Sequence, residues 1–255
     1  MSLQLFDLAG RRALITGSSQ GIGLALAGGL AAAGAEVVLN GRDEGKLAAA
    51  VAELKGKGLR ASGSAFDVTD EKEIKRAVDG IEREKGPIDI LINNAGMQFR
   101  TTLEDFPPDK FRELFQVNVE SVFLVAQAVA RHMIPRKRGR IINIGSVQSE
   151  LGRATIAPYT ATKGAVKQLT RGMCADWARH GMQINAIGPG YFDTPLNKAL
   201  VENAEFSDWL KKRTPAGRWG ETGELVGAAV FLASDAASYV NGHMLYVDGG
   251  ITAVL

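Results

Sequence analysis

Short runs rich in β-branched and apolar residues alternate with longer amphipathic segments along nearly the whole chain of 255 residues. The short runs predict strands at 12–16, 35–40, 61–66, 88–93, 140–144, 183–187 and 244–247. The longer segments predict helices at 21–33, 43–55, 70–84, 107–133, 158–179 and 224–233. Because strand, helix and strand in series make a parallel βαβ unit, this order predicts an α/β fold: a doubly wound parallel sheet of about seven strands flanked by helices.

Residues at the ends of these segments suit helix starts and stops. Asp43 and Asp70 are predicted N-caps, Pro135 is predicted to end the helix that begins at 107, and Gly181 to end the one that begins at 158. No linker interrupts the series, so we expect a single domain at 1–255. The long connection at about 190–220, with short helices at 196–201 and 206–211, is predicted to be a lid over the substrate.

Composition excludes several classes of function. Lys and Arg total 30 against 28 Asp and Glu, a net charge of +2, which argues against a nucleic-acid partner. No apolar run reaches the ~18 residues of a membrane span and no leader-like start is present, so no membrane partner and a cytoplasmic location are expected. A single cysteine, and three histidines without ligand spacing, predict no disulfide and no metal site.

The chain has 30 glycines in 255 residues, a larger share than the roughly 7% of an average protein. Three of them form a turn between the first predicted strand and the first predicted helix. Glycine permits a tight turn, and the free N–H groups of a helix start attract phosphate. The turn therefore predicts dinucleotide binding, although its Gly-x3-Gly-x-Gly spacing departs from Gly-x-Gly-x2-Gly and an ordinary turn is the alternative. The residues expected to contact the cofactor here are Gly17, Ser19, Gln20, Gly21, Ile22 and Gly23.

The end of the second strand indicates which dinucleotide is bound. Asn40-Gly41-Arg42 stands where an acidic residue would bind the ribose hydroxyl of NAD. Arg42 can pair with the 2′-phosphate of NADP, and a solvated surface arginine is the alternative. NADP (NADPH) is the predicted cofactor, with NAD possible but less favoured. Asp67 and Val68, after the third strand, are further predicted cofactor contacts, with Asp67 receiving the adenine amino group or capping the chain locally.

Small residues end the fourth strand in the sequence Asn94-Ala95-Gly96. Such residues let a flat ring and a ribose lie against the backbone at the carboxyl edge of a sheet, where ligands of open α/β folds bind. These three residues are predicted cofactor contacts, and a simple turn is the alternative.

A serine, a tyrosine and a lysine suggest proton-transfer chemistry. Ser146 ends the fifth strand, and Tyr159-x3-Lys163 begins the following long helix. Residues four apart share a helix face, so the Lys163 ammonium can lie beside the Tyr159 ring. A free tyrosine has a pKa of ~10, and a nearby cation is expected to lower it. Ser146 would then hold the substrate oxygen while Tyr159 exchanges the proton.

Taken together and in order, these motifs resemble those of the short-chain dehydrogenase/reductase family, over essentially the whole chain. The resemblance implies a Rossmann fold and an NAD(P)-dependent oxidoreductase acting on CH–OH groups. It adds Asn118 as a fourth catalytic residue that holds a water linking Lys163 to solvent, and it gives Lys163 a bond to the nicotinamide ribose. It also implies a homotetramer, formed through the long helical segments at about 108–133 and 158–179 and the C-terminal strand region. The cofactor contacts it supplies or repeats are Tyr159, Lys163, Pro189, Gly190, Phe192 and Thr194.

The stretch 146–153 resembles family members that act on sugar acids, and it implies NADP-dependent interconversion of D-gluconate and 5-keto-D-gluconate with Tyr159 as acid and base. Phe99 and Gly145 depart from that pattern. The predicted substrate residues are Ser146 and Tyr159, Gln148 and Glu150 for hydroxyl groups, and Arg100 and Arg153 for the carboxylate, unless these are surface arginines.

Two alternatives to this function stay open. A 3-oxoacyl-[acyl-carrier-protein] reductase, or another keto-acid or polyol reductase of the same family, would share every cofactor motif. A non-catalytic NADP-sensing protein is the more distant alternative, and it is disfavoured because Tyr159 and Lys163 are both present.

Overall fold

Seven parallel strands form one sheet in the order β3-β2-β1-β4-β5-β6-β7 in the computed structural model, which describes residues 2–255. This confirms the predicted doubly wound α/β fold. The strands are β1 (Arg12–Ile15), β2 (Glu36–Gly41), β3 (Ala61–Ala65), β4 (Ile90–Asn93), β5 (Gly139–Ile144), β6 (Met182–Pro189) and β7 (Met244–Val247).

Helices cover both faces of this sheet. They are α1 (Gly21–Ala32), α2 (Glu44–Gly56), α3 (Glu71–Glu84), α4 (Pro108–Phe115), α5 (Ser121–Arg136), α6 (Ala157–Trp177), α7 (Lys198–Val201), α8 (Ala204–Arg213) and α9 (Val226–Ala233). One core packs under α1, α2 and α9, and the other under α3, α5 and α6. In residues 2–255, no helix combines the length and the apolar character needed to cross a membrane.

The near-continuous apolar strands follow from burial on both faces. In β1, Ile15 packs into the core under α1 while its neighbour Leu14 packs into the core under α5. Ile92 and Leu91 divide in the same way in β4. Since successive strand residues point to opposite faces, a parallel sheet covered on both sides needs apolar residues at every position.

Two predictions for the segment 107–136 were wrong in detail. Pro135 does not end the helix: it lies inside the last turn of α5, where a missing N–H costs a single hydrogen bond, and the helix ends where Lys137 adopts a left-handed φ of 52°. The single predicted helix is also interrupted, because Gln116–Glu120 form a π-helical turn between α4 and α5. Such turns often occur at functional sites.

The long connection after β6 folds back on itself. Its two short helices are α7 and α8, close to the predicted positions, and its ends are joined where Phe192 pairs with Gly220. The N–H of Asp193 donates to the Gly220 carbonyl over 3.0 Å. This segment therefore returns to the carboxyl edge of the sheet, beside the site described next.

Candidate active site

A cleft with a volume of about 670 Å³ opens along the carboxyl ends of the strands. β1 has β2 on one side and β4 on the other, so the chain reverses direction across the sheet between β1 and β4, and such a point leaves a crevice. Every residue that the sequence predicted as a cofactor contact borders this cleft: Gly17, Ser19, Gln20, Gly21, Ile22, Gly23, Arg42, Asp67, Val68, Asn94, Ala95, Gly96, Tyr159, Lys163, Pro189, Gly190, Phe192 and Thr194.

Close packing fixes the glycines of the first turn. A Cβ on Gly17, whose φ is +60°, would lie 2.8 Å from the Ala95 Cα, and a Cβ on Gly23 would lie 2.5 Å from the Gly17 carbonyl oxygen. The helix that follows, α1, has no side-chain cap and no acidic residue in its first turn. Its N-terminal N–H groups are thus available to an anion such as a pyrophosphate.

The end of β2 suits a phosphate better than a ribose hydroxyl. Asn40 is buried, and its side chain accepts from the Gly17 N–H (3.3 Å) and donates to the Phe66 carbonyl (3.0 Å), so it holds the turn in place. Arg42 is 75% exposed at the mouth of the cleft and meets Asp67 at 3.4 Å. Because so exposed an ion pair contributes little, the guanidinium can turn to a 2′-phosphate.

Asp67 mainly caps its own chain. One of its carboxylate oxygens accepts from both the N–H and the hydroxyl of Thr69, at 2.8 and 2.7 Å. Burial opposes ionisation of Asp67, but these bonds and the charge of Arg42 together hold the pKa of Asp67 below its usual value. Of the two roles left open for this residue, the local cap is the one present, and the side chain still borders the cleft.

Ser146, Tyr159 and Lys163 meet deep in the cleft. The Lys163 Nζ lies 5.7 Å from the centroid of the Tyr159 ring and donates to the Ile144 carbonyl over 2.8 Å. The Ser146 hydroxyl caps the turn after β5 by accepting from the Gln148 N–H at 3.1 Å. The predicted constellation is therefore assembled, with the end of β5 and the first turns of α6 facing each other.

The predicted lowering of the Tyr159 pKa is wrong. Desolvation raises the pKa of Tyr159 to about 12, and the groups that oppose this rise are the Ser146 hydroxyl and the positive charge of Arg100. Burial lowers the pKa of Lys163 to about 8. Sequence spacing showed that Lys163 and Tyr159 share a helix face, but it could not show that the cleft disfavours charge on both.

Asn118 is buried in the π-helical turn and does not border the cleft. Its amide accepts from the Met97 N–H (2.8 Å) and donates to the Met97 carbonyl (3.0 Å) and the Thr162 hydroxyl (3.2 Å). The side chain therefore clamps the chain after β4 to α6. A role in holding water stays a prediction.

Arg100 and Arg153 both border the cleft. The Nε atom of each is buried without a hydrogen-bond partner, and within residues 2–255 neither side chain forms an ion pair. Arg100 meets the Asn197 side chain at 3.3 Å, and the Arg153 guanidinium lies 5.1 Å above the Phe206 ring. Buried charges normally have partners, so this pair is suited to an anion from outside the chain.

Of the two residues predicted to bind substrate hydroxyls, only one borders the cleft. Gln148 is buried and borders the cleft, where its amide nitrogen donates to the Tyr191 hydroxyl over 3.4 Å. Glu150 was predicted wrongly, because its carboxylate points away from the cleft and pairs with Lys167 and the Tyr246 hydroxyl. Gln148 lies inside the short 3₁₀ turn at Val147–Ser149, and Glu150 directly follows it.

Several cleft residues had no predicted role, among them two that contact predicted substrate residues. Tyr191 and Asn197 both belong to the connection after β6 and face Gln148 and Arg100 respectively. Tyr191 directly follows Gly190, so its position next to a predicted cofactor contact was the available signal. Asn197 lies in an irregular turn, and no sequence pattern announces its contact with Arg100.

The fold and the cleft together define a dinucleotide-dependent oxidoreductase. Residues 17–252 match the family described as Enoyl-(Acyl carrier protein) reductase. The chain belongs to the short-chain dehydrogenase/reductase family.

Several relatives share nearly the full length of this chain. Gluconate 5-dehydrogenase of Gluconobacter oxydans (strain 621H) is 62% identical over 98% of both chains. The 5-keto-D-gluconate 5-reductase of Escherichia coli (strain K12) is 55% identical over 97% of both. The crystal structure of a gluconate 5-dehydrogenase from Burkholderia cenocepacia J2315, in complex with NADP and tartrate, is 58% identical, covers 100% of both chains and has a TM-score of 0.98.

The variant Arg42→Ala is expected to weaken NADPH binding about tenfold, because a charge-assisted hydrogen bond to the 2′-phosphate is lost. Binding of NADH, which has no such phosphate, should change by less than about twofold. Fluorescence titration of both cofactors measures the two dissociation constants. Lys55→Ala, an exposed cation near the far end of α2, is the matched control. An equal loss of affinity for both cofactors would show that Arg42 does not bind the 2′-phosphate.

Proposed function

We propose that this protein is an NADP-dependent oxidoreductase that interconverts D-gluconate and 5-keto-D-gluconate. The observation that carries the proposal is the pair of arginines without acidic partners, Arg100 and Arg153, in the same cleft as Tyr159. The relatives that are 62% and 55% identical support it, since they bear the names of the two directions of this reaction.

The chain holds the parts needed for NADP. The uncapped start of α1 would receive the pyrophosphate, and Arg42 would receive the 2′-phosphate. Lys163 would bind the nicotinamide ribose, and the related Burkholderia enzyme was crystallised with NADP. When bound, this cofactor supplies or accepts the hydride.

The proton is handled by the residues of the chain. In the reducing direction Ser146 donates a hydrogen bond that polarises the C5 carbonyl, and Tyr159 gives its hydroxyl proton to the developing alkoxide. The raised pKa of Tyr159, about 12, keeps this proton in place at neutral pH. In the oxidising direction the phenolate of Tyr159 must form first, and the charge of Arg100 favours it.

The carboxylate of a sugar acid accounts for the two arginines. Desolvation by burial is the main cause that lowers the pKa of Arg100, and the charge of Arg153 adds to it. An anion bound beside Arg100 and Arg153 would offset both the desolvation of Arg100 and the repulsion between the two positive charges. A 3-oxoacyl thioester carries no carboxylate on its acyl chain, so it leaves these charges unexplained. The sugar acid is therefore the better substrate.

Oxidation of D-gluconate should accelerate with pH, because it requires the phenolate of Tyr159, whereas reduction should not. We expect kcat/KM for oxidation to rise about tenfold per unit between roughly pH 6 and pH 8, and less steeply above the Lys163 pKa of about 8. Tyr159→Phe should lower the rates in both directions by about 10³-fold while NADPH still binds. Wild-type turnover by that variant, or the absence of any reduction of 5-keto-D-gluconate by the intact enzyme, would overturn the assignment.

The variant Arg153→Met should raise the KM for 5-keto-D-gluconate about 10- to 100-fold with little change in kcat, because a charged contact is lost while the contact with Phe206 is kept. The kinetic constants of Arg153→Met for the neutral ketone 5-keto-D-fructose should equal those of the wild type. Arg76→Met, which alters an exposed arginine on α3, should leave the constants for both substrates unchanged. Steady-state kinetics with the two substrates decide the matter. Equal losses on the acid and the neutral ketone would contradict a carboxylate contact.

The assembly we propose is a homotetramer in the cytoplasm. α4 and α5 expose Phe111 and Phe123, with 43% and 42% of each residue accessible, on the helices through which the family resemblance places an interface. Apolar residues exposed on neighbouring helices suit a surface buried between subunits. The cytoplasmic location agrees with a reaction that draws on the cell's NADPH.

Light scattering on the purified protein should give four times the mass of one chain. Phe123→Glu should shift it to a smaller species, because a carboxylate would be buried at the interface. Phe6→Glu, which alters a comparably exposed ring outside α4 and α5, should leave the mass unchanged. A wild-type mass of a single chain would exclude the tetramer.

A further inference from the structure

Tyr191 is held rigidly at the edge of the cleft. Its ring packs against those of Phe206 and Trp219, with centroid distances of 5.7 and 5.9 Å, and its carbonyl accepts from the Gly220 N–H at 2.9 Å. Trp209 adds a third ring at 6.4 Å. An aromatic side chain packed in this way has little rotational freedom, so the position of its hydroxyl is fixed.

The Tyr191 hydroxyl has an unused proton. Its oxygen accepts from the Gln148 amide nitrogen over 3.4 Å, and the amide oxygen of Gln148 is itself occupied by the Thr160 hydroxyl at 3.4 Å. In residues 2–255 no acceptor receives the Tyr191 O–H. Because a phenol can accept and donate together, the side chain offers a hydrogen-bond donor to the cleft.

Charged and reactive groups surround this donor. The charges of Arg153 and Arg100 lie close enough to lower the pKa of Tyr191, but burial outweighs them and raises it, so the proton stays on the hydroxyl at neutral pH. Tyr159 is near enough to Tyr191 that a charge on Tyr191 would raise the pKa of Tyr159. Tyr191 therefore lies in the part of the cleft that holds both the proton-transfer tyrosine and the two arginines.

We propose that Tyr191 is a specificity-determining residue that donates a hydrogen bond to a hydroxyl oxygen on the carbon chain of the substrate, with Gln148 positioning it. This rests on the proposed sugar-acid substrate. A substrate without that oxygen would leave a half-buried donor unpaired, and the lost hydrogen bond discriminates between substrates. Tyr191 thus selects polyhydroxy keto acids over keto acids with a plain alkyl chain.

The test compares two substrates of equal length and charge on the variant Tyr191→Phe, which keeps the ring. 5-Keto-D-gluconate has a hydroxyl next to its ketone, while 5-oxohexanoate has the same carboxylate and ketone and no hydroxyl. We expect kcat/KM to fall about 3- to 10-fold for the first and to stay equal or rise for the second. The ratio of the two values is the readout, since a merely structural role would lower both.

Tyr246→Phe is the matched control, because that hydroxyl bonds to Glu150 outside the cleft at 3.0 Å. It should leave the ratio unchanged. If the ratio is also unchanged in Tyr191→Phe, or if both substrates lose equally, the inference fails although the enzyme still reduces 5-keto-D-gluconate. If the wild-type enzyme reduces 5-oxohexanoate but not 5-keto-D-gluconate, the proposed function itself fails, and Tyr191 selects nothing of the kind described.

Discussion

Parallel hydrogen bonding of β1 to β2 on one side and to β4 on the other governs the rest of the molecule. All carboxyl ends then lie at one edge, and the connections leaving β1 and β4 run to opposite sides, so a crevice must open between them. Distant parts of the chain meet there because each one follows a strand: the glycine turn follows β1, and Ser146 follows β5. Tyr159 and Lys163 come from within a helix, and α6 brings them in by packing against β6 and the turn after β5.

The cleft gathers these groups at an electrostatic cost. Desolvation moves Tyr159 and Lys163 toward their neutral forms, with a pKa of about 12 for the tyrosine and about 8 for the lysine. The cation that acts against the rise at Tyr159 is Arg100, which is also a candidate for the substrate carboxylate. An anion on Arg100 would offset its charge and favour protonated Tyr159, the form that reduction uses. Under the proposed function, substrate anchoring and proton transfer would therefore share one guanidinium.

The sequence predicted what depends on local pattern. The parallel α/β sheet, the cofactor edge and the grouping of Ser146, Tyr159 and Lys163 follow from period, turn chemistry and helix spacing, and the structure brings these residues to one cleft. The failures concern direction and environment. The pattern placed Glu150 two residues after Gln148 but could not show that the turn containing Gln148 directs their side chains apart. The pattern also could not show that Pro135 lies inside the last turn of α5. A helix tolerates proline there, because only one hydrogen bond is lost.

The arginines show why substrate chemistry is harder to predict than cofactor chemistry. Nothing in the sequence distinguishes Arg218 from Arg153. In the folded chain, Arg218 pairs with Glu224 at 2.6 Å. Within residues 2–255, Arg153 has no acidic partner, and its Nε is buried without a hydrogen bond. A paired arginine needs nothing from outside the chain. An unpaired one in a cleft carries a desolvation penalty until an anion arrives. The class of substrate is therefore determined by the polar groups that the fold leaves unsatisfied, and these can be identified only after every internal partner has been assigned.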